Sequence, residues 1–122
     1  MTAKGGHGFS QADWDKAKTE ARDAMIARAK KRGMITYSDL VDQMQSIKLG
    51  AHDPRLSILL DEISTEEDAN GRGMLTVLVV HKVGDMEPGK GFYELAQALG
   101  RTFSDPQEFW IDELHRVHAE WS

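Results

Sequence analysis

The 122 residues are 40% hydrophobic and 29% charged, which suits one globular domain, and no apolar run reaches the roughly 18 residues of a membrane span. The absence of cysteine excludes disulfides, thiolate zinc sites, iron–sulfur clusters and cysteine nucleophiles. The net charge of −5 is unevenly spread: residues 1–50 hold 9 Lys/Arg against 6 Asp/Glu, and residues 51–122 hold 6 against 14. An acidic chain is a poor general binder of nucleic acid, so any such contact must come from a local patch.

The start, MTAKGGHGFSQ, is Gly-rich and lacks the apolar stretch of a signal peptide. It predicts a disordered tail over residues 1–9, a single domain over 10–122, a cytoplasmic location and no membrane partner. Ser10 precedes a helical pattern over residues 11–32, with Trp14, Ala17, Ala21, Ala24, Met25 and Ala29 on one face and Gly33 as the C′ residue. Ile35 and Thr36 read as a short extended piece. Ser38 is the expected N-cap of a second helix carrying Leu40, Val41, Met44 and Ile47 on its buried stripe, closed by Gly50.

Asp53-Pro54 is a clean helix start, and Leu56, Leu59, Leu60 and Ile63 repeat at i, i+3, i+4 and i+7. That third helix is expected to run to Ala69 and to end at Asn70-Gly71. Residues 74–83 form the most strand-like segment, apolar on both faces and therefore expected in the interior. Residues 84–91 are a glycine turn. Phe92, Leu95, Ala96 and Leu99 suggest a short helix ending at Gly100, although Phe92 and Tyr93 can also begin a return strand. Ser104-Asp105-Pro106 opens a last helix with Trp110, Leu114, Val117 and Trp121 on its stripe.

Gly84, Gly89 and Lys90 stand at P-loop spacing, but Gly91 occupies the place of the Ser or Thr that ligates magnesium. Asp85 and Glu87 would repel phosphate there. The stretch is read as a turn, and no cofactor is expected. Asp112, His115 and His118 follow one another on the last helix, but three ligands of defined geometry are not evident, so no metal site is assigned. His81 and Lys82 lie at a strand end beside the glycine turn, the one place where an enzymatic site can be imagined. No nucleophile signature converges on them, and no catalytic residue is assigned.

The order of elements matches a winged helix, with the third helix in the recognition position and residues 84–91 as the wing tip. The chain is accordingly expected to be α+β, winged-helix-like and mostly helical, with a small β-hairpin or sheet. The expected core is Leu40, Met44, Leu56, Leu60, Val77, Val79, Leu95, Trp110, Leu114 and Val117. RAKKR, residues 28–32, carries the basic excess, either as helix-end cations or as a phosphate contact.

In GRGMLTVLVVHKVGDMEPGKGFYELAQALGR and DPQEFWIDELHRVHAEW the chain resembles a set of small bacterial proteins of unassigned function. They share a GR-x-M/L-L strand, a PG-x-GF turn, an LA-x-x-LG helix and FW before a final helix. Here these are Gly71 to Leu75, Pro88 to Phe92, Leu95 to Gly100, and Phe109-Trp110, and ITYSDLV with HDPRL fits the same pattern. The resemblance implies a regulatory or defence setting and carries no activity.

Three functions follow as expectations. The first is a non-enzymatic nucleic-acid-binding or regulatory module, with Lys30, Lys31 and Arg32 on phosphates and Arg55, Lys82 and Lys90 in support. The second is a protein-interaction or homodimerisation module using the acidic helix 53–69. The third is an enzyme centred on His81-Lys82 and the glycine turn.

Overall fold

Side-chain caps set where the helices begin. Ser10 Oγ accepts the Asp13 N–H at 3.1 Å and starts α1, Gln11–Lys30. Asp53 accepts the Arg55 N–H at 2.9 Å, with Pro54 in the first turn, and starts α3, Pro54–Ala69. Between them, β1 is Ile35–Thr36 and α2 is Tyr37–Gln43. The cap of α2 is Thr36, whose Oγ1 accepts the Asp39 N–H at 3.1 Å; the expected cap, Ser38, lies inside the helix. After β2, Val79–Val80, come α4, Lys90–Ala98, and α5, Pro106–Trp121. In this computed structural model residues 8–51, 53–81 and 89–121 are described. They form an α+β fold, mostly helical, with one two-stranded sheet.

Three helices end in the same motif, in which the C′ N–H reaches the C2 carbonyl and the next N–H reaches C3. Gly71 and Gly100 fill the C′ position of α3 and α4 with φ of 77° and 94°. In α1 that position belongs to Arg32, not to the expected Gly33: Arg32 N–H donates to Ala29, Gly33 N–H donates to Arg28, and Arg32 holds φ at 54°. A non-glycine residue there costs about 1 kcal/mol.

The apolar run at 74–80 is interior, as its two apolar faces require, but it is not one long strand. Leu75–Leu78 forms a 3₁₀ turn, and only Val79–Val80 is extended, pairing in parallel with β1 at Ile35–Val79 and Thr36–Val80. Helices α1, α3 and α5 surround the turn, and side chains of α3 and α5 take over backbone bonds that a sheet would have supplied. Glu113 Oε2 accepts the Met74 N–H at 2.8 Å, and Ser64 Oγ accepts the Thr76 N–H at 3.1 Å. The Trp110 indole donates to the Val77 carbonyl at 3.0 Å. Phe92 and Tyr93 belong to α4 and begin no return strand. The segment proposed as a wing tip falls largely outside the described residues.

The core holds Leu40, Met44, Leu56, Leu60, Val77, Val79, Trp110 and Val117, all buried as expected; Leu95 and Leu114 are half-buried at its edge. Phe9, assigned to the tail, instead stacks on Trp14 with ring centroids 6.3 Å apart, and the Arg55 guanidinium lies 4.9 Å over its ring.

Candidate functional site

Three of the six predicted nucleic-acid contacts stand together, and Arg55 does not join them. Lys30, Lys31 and Arg32 are all exposed at the C-terminal end of α1. Arg55 sits beside Phe9, next to the opposite end of α1. A helix of 20 residues is about 30 Å long, so the two positions are separated by most of a helix length. Arg55 is also committed to Asp53, with its Nη2 2.7 Å from Oδ2, and this pairing holds the Asp53 carboxyl down at about 2. Lys90 opens α4 with its side chain 88% exposed, 4.0 Å from Glu94. Lys82 lies outside the described residues.

The acidic face of α3 is largely used within the chain. Glu62 accepts the Trp14 indole N–H at 2.9 Å, and Lys18 bridges Glu62 and Glu66 at 3.2 and 2.6 Å. Glu67, 3% exposed, accepts from Arg22 at 2.9 Å and Arg72 at 2.7 Å. Both guanidinium groups lie 5.6 Å from the centroid of the Trp121 ring, two cation–π contacts at the end of α5. Burial works to raise the Glu67 pKa, but the hydrogen bonds from Arg72 and Arg22 outweigh it and hold the carboxyl below its ordinary value. Among the described residues no group of three or more His, Asp or Glu is placed to hold a metal ion. His118 Nε2 instead meets the Gly33 carbonyl at 3.0 Å.

A concavity lies elsewhere, between α3, α4 and the start of α2. It is a groove of about 660 Å³ with an apolar floor that includes Leu56, Leu60, Val79 and Phe92. Helical spacing on α3 places Ser57 and Asp61 one turn apart on its wall, and Glu94 of α4 lies on the same lining. Tyr37 closes one end. Its hydroxyl accepts the Gly89 N–H at 3.2 Å, and its ring lies 5.0 Å from that of His81. The Tyr37 side chain thus ties together the two residues that flank segment 82–88. Gly89 suits this close approach: a Cβ there would stand 3.2 Å from the Tyr37 hydroxyl and 3.3 Å from His81 Nε2, tighter than ordinary contact. Burial raises the Tyr37 phenol, the Gly89 N–H acts against it, and the Asp61 charge adds to the rise.

Asp61 also titrates above its ordinary value, first through burial and then through the nearby Glu94 charge. Among the described residues it has no cationic partner, in contrast to Glu67 on the same helix. Chemically, the lining can hold an apolar body and polar head, and among the described residues it presents no assembled nucleophile. The Thr76 hydroxyl is engaged with Ser64 at 2.6 Å, and His81 meets Tyr37 ring to ring.

Sequence reasoning found His81 and the glycine turn but missed Tyr37, Asp61 and Glu94 as companions. Tyr37 and Gly89 are 52 positions apart, and no local pattern joins them. The one available signal was Ser57-Asp61 spacing on the polar side of a strongly patterned helix. Comparisons with known protein families, curated proteins and solved structures found no match to this chain.

Proposed function

We propose that this protein is a small non-enzymatic regulatory module that holds a low-molecular-weight ligand in the groove between α3 and α4. The observation that carries this reading is the groove itself. About 660 Å³ of space over a buried apolar floor, with a few polar groups at its wall, fits the size and chemistry of small-molecule sites. The absence of an assembled nucleophile or metal cluster among the described residues favours binding over catalysis. Ala98, exposed on α4 and lining the groove, offers a way to fill it without touching the core. Small amphipathic fragments should shift amide resonances around Tyr37, Thr76 and Phe92 in a two-dimensional NMR spectrum, and Ala98→Trp should abolish those shifts. Fragment binding that bypasses this region altogether would sink the reading.

A second reading, nucleic-acid binding, rests on Lys30, Lys31 and Arg32 alone, three consecutive exposed cations at one helix end. Labelled duplex DNA should then bind at low salt, release steeply as salt rises, and fail to bind when all three are changed to Glu. Absence of binding at low salt would remove it.

A further inference from the structure

We infer that the groove selects an organic cation, its apolar body lying on Leu56, Leu60 and Val79 and its ammonium or guanidinium group between Asp61 and Glu94. This rests on the groove being a ligand site, and it adds the chemical class of the ligand.

The argument is one of charge complementarity. Among the described residues three carboxylates line the groove, those of Asp53, Asp61 and Glu94, against the one ammonium of Lys90. The charge of Asp53 is already matched by Arg55 within the chain. Glu94 has Lys90 only at 4.0 Å, and that ammonium is 88% exposed, so water screens most of the attraction. Asp61 and Glu94 therefore bear on one open space, and the Glu94 charge raises the cost of ionising Asp61. A cation placed there relieves it.

One feature of the groove pulls the other way. Helix α4 begins at its edge with Gly89 as N-cap and no side-chain cap. The helix start amounts to about half a positive charge, and its influence fades within the first turn. Two full carboxylate charges exceed it. The apolar floor then decides against a small inorganic cation, because Leu56, Leu60 and Val79 supply no oxygen ligands and gain only from a hydrocarbon body.

The test uses three probes of one shape: 2-phenylethylamine, 2-phenylethanol and 3-phenylpropanoate, each titrated into the full chain and followed by NMR at Tyr37, Thr76 and Phe92. The amine should bind about ten-fold more tightly than the alcohol, with the carboxylate weakest, as expected for two partly screened charges. Asp61→Asn and Glu94→Gln should each weaken the amine about three-fold and leave the alcohol unchanged. Equal binding of amine and alcohol, or preference for the carboxylate, overturns the cation inference while keeping the groove. If none of the three moves the groove resonances, both readings fall. The wild-type comparison stands even if a variant folds poorly.

Discussion

Asp61 and Glu67 lie on the same helix, six positions apart, and end in opposite electrostatic states. Glu67 is buried, receives two guanidinium groups and is held below its ordinary pKa; Asp61 faces a groove with Glu94 opposite and is held above it. The difference teaches where an acidic residue is part of the scaffold and where it is left for something else. At the Glu67 end, α1, α3 and α5 converge, and Glu67, Arg22 and Arg72 are drawn into one paired cluster. In the groove between α3 and α4, Asp61 and Glu94 are left lining open space. A helix with acids on several faces can be neutralised on one and unsatisfied on another.

The largest test of that contrast concerns Glu113, which accepts the buried Met74 N–H and lies 3.3 Å from Arg101. Glu113→Ala should cost about 3 kcal/mol by urea unfolding, because it orphans a buried donor. Probe binding in the groove should persist in whatever fraction remains folded. Glu67→Gln comes next, at about 2 kcal/mol. The figure is below that of a fully buried pair because Arg22 and Arg72 keep side-chain exposures of 35% and 32%. A loss under about 0.5 kcal/mol would break the claim that this end is scaffold.

The pH dependence sharpens the same contrast. The folded pKa of Glu67 lies below its ordinary 4.5, so its contribution is present above that value and is lost as pH falls through the folded pKa. Asp61 has the reverse sign: its folded pKa lies above its ordinary 3.8, so protonation in that window favours the folded state. Between about pH 5 and about pH 3, Glu67→Gln should therefore flatten the acid loss of stability and Asp61→Asn should steepen it. Identical slopes in urea titrations of both variants would contradict the assignment.

Smaller effects follow. Arg32→Gly should stabilise by about 0.5 kcal/mol, since glycine holds φ of 54° without steric cost but gives up some entropy in the unfolded chain. Thermal melts would show the gain, and a loss would mean that the Arg32 side chain matters more than its backbone. Asp61→Asn should change stability at neutral pH by no more than about 0.3 kcal/mol, in the favourable direction, because it removes an unpaired charge. A clear loss would place Asp61 with the scaffold after all.

Much of the fold was legible locally. The Leu56-Leu59-Leu60-Ile63 repeat and the Asp53-Pro54 start defined α3, because the 3.6-residue period and capping chemistry act within a few residues. Residues 74–80 were legible as buried but not as a 3₁₀ turn. Apolar content on both faces reports surroundings, and the choice of backbone depended on Glu113, Ser64 and Trp110 arriving from other helices. The end of α1 was placed one residue late for a similar reason. Glycine is the usual C′ residue, and nothing in RAKKRG says that Arg32 takes that role.

The sequence by itself determined most of the helices, the N-caps of α1 and α3, most of the core and the absence of cysteine chemistry, since these depend on side-chain volume, periodicity and local hydrogen bonds. It did not show that α2 stops at Gln43, short of Met44, Ile47 and Gly50. Only the tertiary structure decided which charges are spent. It set Arg22 and Arg72 against Glu67 across 45 and 5 positions, and Tyr37 against Gly89 across 52. It also separated Arg55 from Lys30, Lys31 and Arg32, which the sequence had grouped by sign. Charge is a property of residues, but its consequence depends on distance and on exclusion of water, and both come from how the helices pack.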